Sequence, residues 1–152
     1  MFNVSFAICN LRFAIEDAGC EPMNEHDLLK RTKVFSLRVI KLVGALPNTV
    51  AGRKIGDQLL RSGTSVGANY RAACRGRSKP EFIAKLGIVE EESDESAFWM
   101  ELIIEAGLLL PAKVRPLHDE AQQIRNIMAQ SRLTASRPLL SSNRKLQIAN
   151  RK

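Results

Sequence analysis

Residues 61–73 read RSGTSVGANYRAA, and residues 82–107 read FIAKLGIVEEESDESAFWMELIIEAG. These two segments decide the fold, because residues in and around each recur at alternating steps of three and four, which is the spacing of one helical face. The first face consists of Ile55, Leu59, Ser62, Val66, Asn69 and Ala73, and the second of Ile88, Glu92, Glu95, Trp99, Leu102 and Ala106. The pattern predicts two helices in contact, with polar residues where a bundle helix normally has leucine or isoleucine.

The polar positions in these two faces predict a buried polar layer. Glu92 and Glu95 would lie on the apolar side of their helix, and leaving a buried carboxylate unpaired costs on the order of several kcal/mol. The side chains on the facing helix that can pair with them are those of Arg61, Arg71 and Asn69. We therefore expect a layer formed by Arg61, Asn69, Glu92 and Glu95, in which losing the Glu95 side chain would cost about 3 to 5 kcal/mol if the pair is buried.

Four helical segments are predicted between residues 23 and 133. The first covers about 25–46, the second follows Thr49 and ends near 74, the third begins at 78 or 79 and reaches 107, and the fourth begins near Pro116. Strand signals are nearly absent, and short connections between long helices favour antiparallel neighbours. The sequence thus predicts an all-α, antiparallel up-down four-helix bundle.

The two ends of the chain differ from this bundle. Residues 1–22 contain an apolar stretch without the basic start and cleavage site of a secretory signal, and Met23 is an alternative start. Two interpretations stay open for this N-terminal extension: a start-site artefact or a functional arm. Residues 134–152 mix serine, proline and basic residues without periodicity, which predicts a mostly disordered basic tail.

The same segments resemble a known protein family. The run RSGTSVGANYRAA, the FIAKL opening and the spacing of Glu92, Glu95, Trp99 and Glu101 are similar to the four-helix-bundle proteins encoded in intervening sequences of bacterial 23S rRNA genes. The accessory variability protein of diversity-generating retroelements is related to them. This resemblance implies a bundle that assembles into a homopentameric ring. For the retroelement branch it also implies a basic protein that associates with nucleic acid and with a reverse transcriptase.

Charge is distributed unevenly along a chain whose net charge is +7. Residues 24–80 carry twelve Lys or Arg and three acidic residues, whereas residues 81–105 carry one Lys and eight acidic residues. An acidic helix of this kind is usually a solvated face. We interpret the third helix as such a face, with ion pairs to the basic first and second helices.

A cluster of basic residues gives the leading functional hypothesis. Arg71, Arg75, Arg77 and Lys79 lie around the turn between the second and third helices, and Arg53 and Lys54 lie at the other end of the second. Clustered guanidinium groups bind phosphates through paired hydrogen bonds, and a ring would repeat the patch. We predict a non-catalytic, oligomeric scaffold or accessory factor that binds RNA or DNA by charge. The alternative is a protein–protein assembly module whose basic faces contact acidic partners, without physiological nucleic-acid binding.

The sequence gives little support to catalysis, a cofactor or a metal site. His26 and His118 begin separate helices and have no matched nucleophile, and the acidic helix lacks the Glu-x-x-His pairs of a di-metal bundle. A third hypothesis, an enzyme using Glu92 or Glu95 as general acid or base, would require burial to raise their pKa values. The three cysteines, Cys9, Cys20 and Cys74, have no ligand spacing, which favours a reducing cytoplasm. No segment approaches the roughly 20 apolar residues of a membrane span.

Overall fold

Four α-helices make up the part of the chain that the structure, a computed structural model, describes, which is residues 24–137. They are α1 (Glu25–Gly44), α2 (Val50–Ala73), α3 (Lys79–Glu105) and α4 (Pro111–Ser136). These residues contain no β-strand, so the all-α class and the four predicted helices are confirmed. None of the described helices is long and apolar enough to cross a membrane. The predicted extension at 1–22 and residues 138–152 of the predicted tail lie outside the described residues.

Capping side chains fix the starts of α1, α2 and α3. The Asp27 N–H donates to Asn24 Oδ1 at 3.0 Å, and the Asn24 N–H donates to Asp27 Oδ2 at 3.3 Å, which forms a capping box. Thr49 and Ser78 accept first-turn N–H groups of α2 and α3 at 3.0 Å and 3.3 Å. Each cap occupies an N–H that has no partner within the helix. The predicted starts of these three helices are therefore confirmed.

The fourth helix begins and ends at different residues from those predicted. It starts at Pro111 rather than near Pro116, and Pro116 lies inside it. Either proline satisfies the preference for the first helical position, where the missing N–H costs nothing, so the sequence signal was ambiguous. Gly107, with φ of 65°, supplies the left-handed residue after α3. At its other end α4 continues to Ser136, three residues past the predicted boundary of the tail.

The buried face of α3 differs from the predicted seam by one residue. Its apolar members are fully buried, namely Phe82, Leu86, Val89, Met100 and Ile103. Between Val89 and Met100 the buried positions are Ser93, Ser96 and Ala97, and they do not include Glu92 or Glu95. The Ser96 hydroxyl donates to the Glu92 carbonyl at 2.7 Å and lies 3.0 Å from the Ser62 hydroxyl of α2. Hydroxyls bonded to the helix backbone can be buried at far lower cost than carboxylates.

Helices α1 and α2 approach each other closely at two glycines. A Cβ at Gly63 would lie 2.7 Å from both methyl groups of Val39, and one at Gly67 would lie 2.9 Å from Ser36 Oγ. The Ser36 hydroxyl donates to the Gly63 carbonyl at 2.8 Å across the same contact. Gly63 and Gly67 are therefore packing residues. The close contact accounts for glycine in a helix interior, where it costs up to about 1 kcal/mol relative to alanine.

Candidate nucleic-acid interface

Four of the eight acidic side chains of α3 form ion pairs with other helices, mainly with α4. Three pairs lead to α4 and a fourth leads to α2: Glu90–Arg132 at 3.0 Å, Asp94–Arg125 at 2.6 Å, Glu101–His118 at 2.9 Å, and Glu95–Arg61 at 2.5 Å. As the residue number of the α3 partner increases from 90 to 101, that of its α4 partner decreases from 132 to 118. The prediction that α3 pairs with the basic first and second helices is thus correct for α2, through Glu95–Arg61, and wrong for α1, because no ion pair among residues 24–137 joins α3 to α1. Partner choice depends on which helix is the neighbour, and charge totals along the chain do not reveal it.

Arg31 of α1 is also engaged inside the bundle. Its guanidinium contacts the Glu120 carboxylate through two nitrogens, at 2.6 Å and 3.2 Å, and a third hydrogen bond reaches Gln123 Oε1 at 2.6 Å. Two-point contact of this kind fixes geometry as well as charge. This pair therefore fastens α1 to α4, and Arg31 belongs to the scaffold.

The predicted buried polar layer lies at the surface instead. Arg61 and Glu95 form the expected pair, but their side chains keep 56% and 32% of their exposure. Glu95 Oε1 also accepts from Trp99 Nε1 at 3.1 Å. Asn69 does not join them, because its amide donates to the Ser65 carbonyl at 3.0 Å and its oxygen accepts from Lys85 Nζ at 3.4 Å. The prediction was correct about the Arg61–Glu95 partnership and wrong about its burial.

Glu92 has the least favourable environment in this group. Its Oε2 atom is buried and has no hydrogen-bond partner. Burial raises the pKa of the Glu92 carboxyl, the neighbouring Glu95 carboxylate raises it further, and the Arg61 guanidinium acts in the opposite direction. Glu92 is thus easier to protonate than an ordinary glutamate. No group of three or more His, Cys, Asp or Glu side chains among residues 24–137 is placed to hold a metal ion.

Replacing Glu95 with alanine is expected to lower the free energy of unfolding by about 1 kcal/mol. The exposed ion pair with Arg61 and the hydrogen bond from Trp99 are both lost, and each contributes only a small part of this total. This revises the 3 to 5 kcal/mol expected for a buried pair. Glu91→Ala, at an exposed position of the same helix, is the matched control and should change stability by less. Urea unfolding monitored by circular dichroism measures both. A cost above about 3 kcal/mol for Glu95→Ala would restore the buried-pair interpretation.

The structure brings together three of the six cations that the sequence assigned to phosphate binding. Arg71, Arg75 and Arg77 line a shallow cavity of about 450 Å³ beside the α2–α3 turn. Lys79 is close in sequence, but its Nζ donates to the Arg137 carbonyl at 3.1 Å. The remaining two, Arg53 and Lys54, lie in the first turn of α2, and Arg53 donates to the Asn48 side chain at 2.7 Å. These last two are separate from the cluster.

A larger groove between α1 and α2 extends this cluster. It has a volume of about 770 Å³. Its lining includes the cations Arg71 and Arg75 at the end of α2 and Lys30 and Lys33 of α1, and Glu25 is its one carboxylate. The rest of its lining consists of four small residues, which we call its floor, and of His26, Leu29 and Cys74. The floor residues are Ser36, Thr64, Gly67 and Ala68. We call this site the α1–α2 groove.

Sequence reasoning missed the two lysines of this groove. Lys30 and Lys33 are three residues apart and lie outside the buried stripe of α1 that includes Leu28 and Phe35. That spacing could have placed both on one polar face. It could not have shown that the face borders α2, because the position of one helix against another is a tertiary property.

The cations of this region have no carboxylate partners. Among the described residues, no salt bridge within 4.0 Å involves Lys30, Lys33, Arg71, Arg75 or Arg77. Arg77 contacts Glu81, but through its backbone N–H, at 2.9 Å. The site therefore presents positive charge that the bundle itself does not neutralise, and an external anion could do so.

Neither Cys74 nor Tyr70 adds charge to the groove. Cys74 lines it, and burial, with the Glu25 carboxylate as the next contribution, raises the pKa of its thiol to about 12. The thiol is therefore protonated at neutral pH. Tyr70 is 1% exposed, as expected for a packed rather than a base-stacking ring, and burial raises the pKa of its hydroxyl. This residue offers no ring surface to a ligand.

Comparison with known proteins identifies a family model and a solved structure that are similar to this chain. Residues 24–130, more than half of the chain, match the family model for the 23S rRNA-intervening sequence protein. The chain is also similar to a crystal structure of a protein of unknown function from the S23 ribosomal protein family of Bacteroides thetaiotaomicron, with 28% identity and a TM-score of 0.66. That match covers 73% of this chain and 99% of the other. Among curated proteins there is no match.

Proposed function

We infer that this chain, which belongs to the 23S rRNA-intervening sequence protein family, is a non-catalytic helical-bundle protein that binds RNA or DNA by charge, as a scaffold or accessory factor. The observation that carries this proposal is the set of cations without carboxylate partners on and beside the α1–α2 groove. Lys and Arg side chains that neutralise phosphates release condensed counterions, which drives binding to any polyanion.

The ion pairs of the bundle favour this proposal over the use of the basic face for acidic protein partners. Four of the eight acidic residues of α3, namely Glu90, Asp94, Glu95 and Glu101, already have partners on α4 and α2, which reduces the number of carboxylates there that a second subunit could contact. The lining of the α1–α2 groove combines long cationic side chains with a floor of short ones and contains no Asn or Gln. Reading of base edges commonly uses such amides as well as arginine. We therefore propose binding that depends little on sequence.

The proposal predicts a moderate and measurable salt dependence. Four phosphate contacts would give a slope of about −3 when the logarithm of single-strand affinity is plotted against that of salt concentration. Fluorescence anisotropy with labelled oligonucleotides of several sequences, at four or more salt concentrations, measures it. We expect affinities within a few-fold of one another across sequences. The absence of binding at low salt would overturn the proposed function.

We also propose that the protein forms a closed homo-oligomer, with five subunits favoured by the family resemblance. In α1, Val34, Leu37 and Ile40 keep 45%, 50% and 47% of their exposure. A row of exposed apolar side chains on one helix supports contact with another subunit. It is a better candidate than the apolar stripe of α3 through Ile88, Trp99 and Leu102, because Trp99 packs against the core of its own chain. The order of the α3–α4 pairs likewise supports an antiparallel up-down arrangement.

Changing Val34, Leu37 and Ile40 together to serine is expected to convert the oligomer into a monomer, because the contact would lose its apolar surface. Multi-angle light scattering would find five times the 16.9 kDa subunit mass for the native pentamer and one subunit mass for the variant. Circular dichroism should show similar helix content for both. A native protein that is monomeric at micromolar concentration would contradict the proposal.

A further inference from the structure

We propose that the α1–α2 groove receives a single nucleic-acid strand, with the sugar–phosphate backbone lying along the groove and the bases directed outward. This inference rests on the proposed function and deepens it by naming the form of nucleic acid and the place where it binds. It assigns the phosphate contacts to Lys30 and Lys33 on one wall and to Arg71 and Arg75 on the other.

The arrangement of charge around the α1–α2 groove is the first argument. Lys30 and Lys33 are separated by about 4.5 Å along the axis of α1, and Arg71 and Arg75 by about 6 Å along that of α2, from the rise of 1.5 Å per residue. Cations therefore follow one another along both walls. A backbone lying in such a groove would have positive charge on either side of successive phosphates, as in other grooves that follow single strands.

The shape of the recess favours a single strand over a duplex. The lining of the groove includes Gly67, which has no side chain, and Ala68, which has only a methyl group, so neither residue fills the space beside the cations. A single backbone can enter that space. A duplex has its phosphates on a convex outer surface and can touch the cations only from outside the recess.

The chemistry of the floor indicates why the bases should face outward. The Ser36 hydroxyl donates to the Gly63 carbonyl at 2.8 Å, and the Thr64 hydroxyl donates to the Leu60 carbonyl at 2.7 Å. Both hydrogens are therefore already used within the bundle. The residues that line the groove include no Phe, Tyr or Trp on which a base could stack, and their one aromatic ring is that of His26, in the first turn of α1. The groove therefore offers mainly contacts to the backbone, which do not depend on sequence.

Filling the groove without changing its charge tests the proposal. Ala68 is exposed, and A68F would place a ring between the two walls while all four cations remain. The matched control is A112F, at an exposed position in the first turn of α4 that does not line the groove. Anisotropy titrations of both variants and the native protein would use one labelled 20-nucleotide strand and the duplex of the same sequence.

We expect A68F to weaken single-strand binding at least 10-fold and duplex binding less than about 3-fold, and A112F to change neither. Should A68F fail to give a native circular-dichroism spectrum, A68M fills the same space with a flexible, helix-favouring side chain and should act in the same direction. If the native protein binds nucleic acid and neither filling variant weakens single-strand binding selectively, the groove proposal is wrong and charge-driven binding stands. If the native protein binds neither probe, the proposed function itself fails.

Discussion

Replacing Gly63 with leucine is expected to lower the free energy of unfolding by about 3 kcal/mol or more, at the upper end of the cost of overpacking a core. Even the first added carbon would lie 2.7 Å from both methyl groups of Val39. Val39 is fully buried, so it cannot turn away into solvent. Either α1 and α2 separate, which breaks the Ser36–Gly63 hydrogen bond, or the bundle does not fold. Chemical denaturation followed by circular dichroism measures the loss.

A second glycine provides the control for this effect. Gly44 is the last residue of α1, its φ is not positive, and a Cβ added there would have no atom within 4 Å. Gly44→Ala should therefore raise stability by about 0.5 to 1 kcal/mol, since alanine loses less backbone entropy on folding. Gly63→Ala adds only the first carbon and should also destabilise the bundle, because that carbon meets the methyl groups of Val39. Combining it with Val39→Ala, which removes those methyl groups, should recover part of the lost stability. If Gly63→Leu were as stable as the native protein, the close contact of α1 with α2 would be wrong.

Local signals in the sequence were sufficient for the helices themselves. Asn24, Thr49 and Ser78 are each a short polar residue followed by a helical pattern, which is the local signature of an N-cap, and each caps its helix in the structure. The resemblance to the intervening-sequence family is likewise confirmed over residues 24–130. These predictions succeeded because a cap and a family motif are properties of contiguous residues.

Predictions about which side chains meet were less successful. Ser93 and Ser96 have the same three-residue spacing as Glu92 and Glu95, so periodicity alone left two adjacent faces as candidates for burial. Desolvation decides between them, because a hydroxyl can bond to its own helix whereas a carboxylate must keep water or a cation. Applied to the sequence, this rule predicts that Ser93 and Ser96 are buried and that Glu92 and Glu95 lie nearer the surface.

The candidate site was predicted in part for a similar reason. Arg71, Arg75 and Arg77 are close in sequence and remain close in space. Lys30 and Lys33 come from another helix and complete the groove only after packing. A sequence cluster identifies one wall of an interhelical site, and the opposite wall depends on which helix becomes its neighbour.

Removing the four cations of the α1–α2 groove is expected to weaken nucleic-acid binding about 100-fold at low salt and to flatten the salt dependence, since each lost phosphate contact reduces the slope by about 0.7 for a single strand. The variant is K30Q/K33Q/R71Q/R75Q. The loss should be similar for all sequences, because these side chains contact the backbone rather than base edges. Anisotropy titrations over several salt concentrations measure affinity and slope together.

A control with the same change in net charge separates the site from the overall charge of the protein. K41Q/R53Q/K54Q/K113Q also removes four exposed cations, none of which lines the groove, and it includes Arg53 and Lys54 from the sequence prediction. If the groove holds the phosphates, this control should lose less than about 5-fold, because exposed charges more than a Debye length of about 10 Å away are largely screened at 0.1 M salt. Equal losses in the two variants would show that binding follows net charge and has no defined place on the bundle. A loss confined to the control would move the site to the beginning of α2, where Arg53 and Lys54 lie.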